Sequence, residues 1–286
     1  MKVATIPYKI NYTHQHADFD AAHPDGYELN ILASGSTFAY LLNTPEGQVH
    51  AIKEYRFNSM PDLDAWKQVL ESDPFLKERY KKVTWISDDE RFLLCPEEYL
   101  RYEEADKLFA QLRSPWDKIG ILQKDTLEDS RLCVLYEPEY NLAQFLSARF
   151  TSFEYRHWTS RCLYHAHRVH QESMPLVSMV ITAWDGKFCL NVFNRTGLVL
   201  TQLFKAKTAE DYLYYLLWVC QNLNIAHEHV SLTLSGQFRT QEPVIDLLQK
   251  YFQPVKYMAG LNPSVWYAAD TRVPVLHYIA LLPEIV

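Results

Sequence analysis

The chain has 286 residues, of which 48% are hydrophobic and 14% aromatic, enough apolar material for two compact cores or one large one. A formal net charge of −7 counts against a nucleic-acid binder, since phosphate neutralisation needs clustered Lys and Arg. The best basic run, Lys77 to Lys82, is broken by Glu78 and Tyr80. With eight glycines and no Ser/Gly-rich stretch, the two halves are expected to pack together rather than hang on a tether.

In chain order, residues 1–26 are polar, with His14, His16 and His23 among Asp18, Asp20 and Asp25. They are predicted to form a loosely packed leader that binds no more than adventitious metal. A first meander follows: Glu28 to Gly35, Ser36 to Leu42, a turn at Asn43 to Gly47, and Gln48 to Phe57. Its β-branched and aromatic residues recur with period two between turn residues. A helix is predicted from about Asp62 to Leu70, a strand at Val83 to Ile86, and a further helix starting near Pro96. Residues 116–155 read as an insertion of strands around a short helix from about Glu139 to Ala148.

A helix from about Thr159 to Glu172 leads into a second meander of Val177 to Thr182, Lys187 to Phe193 and Leu198 to Lys205. The aromatic helix Ala209 to Leu223, the strand Val230 to Leu234 and a helix from Pro243 complete the second copy. That aromatic helix is apolar nearly all round and is expected to be buried between the sheet and a second layer, with Tyr212 and Tyr215 facing the interdomain cleft or a partner as the alternative. Pro274 to Leu282 is predicted to be a helix packing back onto the body. The expected organisation is a leader (1–26), a first subdomain (27–157) and a second subdomain with the C-terminal helix (158–286).

This twofold meander–helix–strand–helix order resembles the actin-like ATPase architecture. With the Tyr27-Glu28-Leu29-Asn30-Ile31-Leu32 strand and the Pro175 to Phe204 meander, the chain is similar to an uncharacterised bacterial family with that fold. The resemblance implies an α/β protein, a duplicated actin-like (ribonuclease-H-like) fold of two mixed-sheet subdomains with a cleft between them. In such proteins a hairpin pattern Asp-x-Gly opens each half. Its carboxylate organises the metal ion, and its glycine lets backbone amides approach phosphate. Mapped here, the pattern falls on Ala33-Ser34-Gly35, followed by Ser36-Thr37, and on Trp184-Asp185-Gly186, followed by Lys187. The acid positions then hold Ala33 and Trp184. Ser235-Gly236-Gln237 matches the segment that contacts the nucleoside in that fold, with one glycine where two are usual. Each of these segments also reads as an ordinary turn.

Other chemistries lack their patterns. No Gly-x-Ser-x-Gly, Walker A or Gly-x-Gly-x-x-Gly run is present, and too few carboxylates lie on the meander strands for a two-metal nuclease. The five cysteines form no Cys-x-x-Cys pair, which fits a reduced, cytoplasmic protein. His165, His167 and His170 share one helix and are read as surface or interface residues rather than metal ligands. No stretch of about 18 apolar residues runs uninterrupted, so no membrane span is expected.

The residues therefore point to a non-catalytic binding or scaffold protein with no catalytic residue, metal or cofactor expected. An unidentified protein partner is left open; nucleic acid and membrane are not expected as partners. Two alternatives remain: a divergent nucleotide-binding ATPase or sugar-kinase-like phosphotransferase using ATP with Mg²⁺, and a partner-binding module of a larger assembly.

Overall fold

The computed structural model describes residues 8–100, 102–114, 120–127, 131–238, 243–258 and 275–284. These residues fall into two compact units, and the division lies between Ser160 and Arg161.

The first unit is built on a six-stranded sheet, β1 (Tyr8–Gln15), β2 (Glu28–Ser34), β3 (Thr37–Asn43), β4 (Val49–Phe57), β5 (Lys82–Ser87) and β9 (Phe153–His157), in the order β1-β4-β3-β2-β5-β9. β2, β3 and β4 form an antiparallel meander, whereas β5 runs parallel to both β2 and β9. Leu29, Ile31, Phe38, Tyr40, Tyr55 and Trp85 face one side. They pack there against α1 (Leu63–Ser72) and α3 (Tyr140–Arg149). The caps match the sequence: Asp62 accepts the Ala65 N–H at 2.9 Å, and Glu139 accepts those of Asn141 and Leu142.

β1 overturns the expected leader. It pairs antiparallel with β4 from Tyr8 opposite Phe57 to Gln15 opposite Ala51. Most of its side chains are exposed, so its composition is that of a polar segment. The sheet edge holds it by backbone pairing, and Tyr8 adds an edge-on contact with Tyr55 at 5.3 Å. His14 lies opposite Ile52 in this ladder, and His16 packs on His50.

The insertion also differs from expectation. A separate three-stranded sheet, β6 (Phe92–Pro96), β7 (Gln123–Leu127) and β8 (Leu132–Tyr136), has the order β6-β8-β7 and carries α2 (Tyr102–Ala110) through Phe109. Pro96 ends edge strand β6 instead of starting an α-helix, a place where its missing N–H breaks no ladder. A 3₁₀ turn, Glu97–Tyr99, separates it from α2. β9, placed in the insertion by sequence, belongs to the main sheet. Buried Asp125 ties the two sheets by accepting the His157 N–H at 2.6 Å and the Tyr136 O–H at 2.9 Å.

α4 (Trp158–Ser173) carries the chain across the division. The second unit has a five-stranded sheet of β10 (Val177–Trp184), β11 (Lys187–Asn194), β12 (Gly197–Lys205), β13 (Val230–Gly236) and β14 (Val255–Tyr257). Its order is β12-β11-β10-β13-β14. β10 to β12 are an antiparallel meander, and β13 is parallel to β10 and β14. This repeats the β4-β3-β2-β5-β9 order of the first unit, to which β1 is an addition. α5 (Ala209–Asn222) and α6 (Pro243–Leu248) cover one face. A Thr208–Asp211 capping box starts α5.

On α5 the expected burial holds for Tyr212 and Tyr215, which pack against the core, and fails for Tyr214 and Trp218. Tyr212 stacks on Phe188 at 4.9 Å and Tyr215 on Phe204 at 4.6 Å, while Tyr214 and Trp218 are exposed. The C-terminal element is a 3₁₀ run, Val275–Leu281, with a kink at Tyr278 in place of the expected α-helix. No helix among the described residues is long and apolar enough to cross a membrane.

Candidate functional site

The two hairpins are equivalent, and their pairing fixes how they correspond. In the first, Ser34 and Thr37 close a two-residue loop of Gly35, at φ 55°, and Ser36. In the second, Trp184 and Lys187 close a loop of Asp185 and Gly186 at φ 44° and 77°. Two consecutive positive φ values are those of a primed turn, for which Asp-Gly is favoured. Gly35 therefore matches Asp185, and Ala33 matches Ala183. The sequence mapping, which placed the second acid position at Trp184, is corrected by one residue. Both halves hold alanine there, Ala33 opposite Phe38 and Ala183 opposite Phe188.

In the first unit the Ser34 and Thr37 hydroxyls are buried and have no hydrogen-bond partner. In the second unit Trp184 is 2% exposed and packs edge-on against Tyr278 at 5.8 Å and beside His277 at 6.3 Å. The indole thus fills the end of the sheet next to the turn.

The structure brings Trp184 to Lys187 together with Ser235 to Gln237, because β13 lies beside β10. The Asp185 N–H donates to Gln237 Oε1 at 2.8 Å, and the Gln237 N–H donates to Ala183 O at 2.8 Å. Ser235 Oγ donates to Ile181 O at 3.0 Å and accepts from Thr182 Oγ1 at 2.9 Å. These amides and hydroxyls are already engaged by the protein's own acceptors.

Gly236 has φ 81°, and a Cβ there would lie 2.2 Å from Ala183 O. The glycine is needed for strand packing and for left-handed backbone. Gly236→Ala is expected to cost about 2–4 kcal/mol, from backbone strain and overpacking together. Urea unfolding measures it, and a loss below about 0.5 kcal/mol would remove this role.

The helix-borne histidines do not sit where surface residues would. His165 is fully buried and His170 nearly so, the latter stacked on Phe193 at 4.9 Å; His167 is only partly buried. Burial, aided by the nearby Arg161 and Arg168 charges, pushes the His165 pKa down to about 3. Arg161 donates to Leu282 O at 3.1 Å, fastening the 3₁₀ run to α4. No group of three or more His, Cys, Asp or Glu among the described residues is placed to hold a metal ion.

Sequence reasoning missed a heavily coordinated buried carboxylate, Asp73. Asp73, 2% exposed, accepts from Lys53 Nζ at 3.0 Å, from the Tyr40 O–H at 3.0 Å and from the Tyr55 O–H. Its other oxygen accepts the Phe75 N–H at 2.9 Å. Burial first, and then the Asp73 charge, drives the Tyr40 hydroxyl pKa far up; Tyr55 is raised by the same burial and by its hydrogen bond to Asp73. The site is a structural knot between β3, β4 and the end of α1.

Residues 16–255 match the family model described as "Protein of unknown function (DUF3822)". A Bacteroides thetaiotaomicron protein "with actin-like ATPase fold and unknown function" is similar at TM-score 0.74 and 21% identity, covering 84% of this chain and 93% of that one. The structure of a PilM–PilN type IV pilus biogenesis complex is similar at TM-score 0.57 and 12% identity, covering 90% and 96%. At these identities the likeness is one of fold: the chain has the actin-like ATPase fold. No curated protein matches the sequence.

Proposed function

The chain belongs to this family of unknown function, and we propose that it is a non-catalytic binding or scaffold protein on the actin-like fold. One observation carries the reading. At both hairpins the position of the metal-organising carboxylate is alanine, Ala33 and Ala183, each paired with a phenylalanine. Phosphoryl transfer on this fold needs a metal held by that carboxylate, and its replacement by alanine leaves Asp185, displaced into the turn, as the one acidic residue of the two hairpin turns. The internal bonding of Asp185, Ser235 and Gln237 supports the same conclusion.

Binding to another protein is supported by Tyr214 and Trp218, four residues apart on α5 and exposed by 62% and 46%. A reducing, cytoplasmic location is the companion reading, supported by five cysteines that are all free and buried.

Phosphate release from millimolar ATP with Mg²⁺ tests the absence of catalysis. The expected rate equals that of buffer alone. Turnover that Asp185→Ala abolishes would replace this reading with the divergent ATPase.

A further inference from the structure

A pocket in the first unit takes in the first hairpin itself, through Ala33 and Gly35, and the inference from it rests on the reading that this hairpin no longer serves nucleotide chemistry. The pocket, of about 210 Å³, opens at the carboxyl ends of β2, β5 and β9. This is where open α/β sheets take their ligands. Ala33, Trp85 and Tyr155 line it from the three strands, Trp66 from α1, and Leu142 and Ala143 from α3.

Size and charge restrict the occupant. Small-molecule pockets usually span roughly 300–1,000 Å³, so this one suits a single side chain or a small amine better than a nucleotide. Asp88, Asp89 and Glu139 are among its lining residues and no Lys or Arg is, although Asp89 is paired with Arg91 at 3.3 Å and Glu139 caps α3. The two helix N-termini that would attract an anion are capped by Asp62 and Glu139. Trp66, Trp85 and Tyr155 put three aromatic rings in the lining, a ring type whose face attracts a cation. The hydroxyl of Tyr155, a partly buried residue of the lining, has no hydrogen-bond partner.

We propose that the pocket between α1 and α3 binds a cationic group on a short aliphatic stem, an alkylammonium or a guanidinium. The aromatic rings of Trp66 and Trp85 enclose the stem, and Asp88 and Tyr155 receive the charged head. Such a group can be a free amine or a Lys or Arg side chain of another protein.

Ligand-detected NMR titration of the intact chain with N-acetyl-arginine amide, 1,4-diaminobutane and uncharged N-acetyl-citrulline amide tests this. Saturable binding of either cation is expected, with the citrulline compound weaker by about fivefold or more. Preference for the blocked arginine assigns the site to a protein side chain, and preference for the diamine to a free amine. Asp88→Asn and Tyr155→Phe should each weaken binding by at least about threefold. Ala143→Phe, which fills the pocket without changing charge, should abolish it, with an unchanged melting temperature confirming the fold. Equal binding of the citrulline compound, no saturation by either cation, or unchanged binding to the Asp88→Asn and Ala143→Phe proteins would overturn the proposal.

Discussion

Asp73→Ala is expected to destabilise the protein by about 3–5 kcal/mol, the cost of leaving a buried charge without its partner. The substitution strands Lys53, whose side chain is 18% exposed, and leaves the Tyr40 and Tyr55 hydroxyls facing an empty space inside the first unit. It also removes the acceptor for the Phe75 N–H at the turn that follows α1. Asp73→Asn keeps the shape and part of the hydrogen bonding, so its loss should be smaller. Guanidinium unfolding at neutral pH measures both. A loss below about 1 kcal/mol for the alanine variant would mean that the knot is incidental to stability.

Acid should destabilise the second unit through His165, whose ordinary pKa of 6.5 is brought down to about 3 in the folded state. Above pH 6.5 the imidazole is neutral in both folded and unfolded chains. Between there and about pH 3 the unfolded chain takes up a proton that the folded one excludes, so stability falls as pH falls. At pH 4 this single group accounts for about 3 kcal/mol. His50, His157 and His170 are shifted in the same direction, in each case chiefly by burial. Denaturant unfolding at pH 7 and pH 4 should show His165→Gln losing about 2–3 kcal/mol less than the parent protein over that interval. Equal losses would show that His165 titrates normally.

The repeat was legible because its strands alternate apolar residues between turn residues, and the helices that follow carry their own caps at Asp62 and Thr208. The register of the second hairpin was not. Aligning the two glycines misplaces it, because the backbone puts Asp185 where the first hairpin has Gly35, both at positive φ. A better marker was in the sequence all along: alanine followed five residues later by phenylalanine, Ala33 with Phe38 and Ala183 with Phe188.

β1 was hidden for a different reason. An edge strand exposed on most of its side chains carries little apolar alternation, and its place is set by backbone pairing with β4. The Asp73 knot was equally hidden, because Tyr40, Lys53, Tyr55 and Asp73 meet only when β3, β4 and the end of α1 converge. No local period marks such a contact. His165, read from the sequence as a surface or interface residue, lies fully inside.

On the proposed reading, the actin-like frame is kept here without the nucleotide chemistry. The most direct measurement is the melting temperature with and without millimolar ATP and Mg²⁺, on the parent chain and on Asp185→Ala. A nucleotide at about 100 times its dissociation constant would add roughly 2.7 kcal/mol of stability if it bound only the folded state. The account predicts no shift for either protein. A clear rise in the parent chain that Asp185→Ala removes would contradict it.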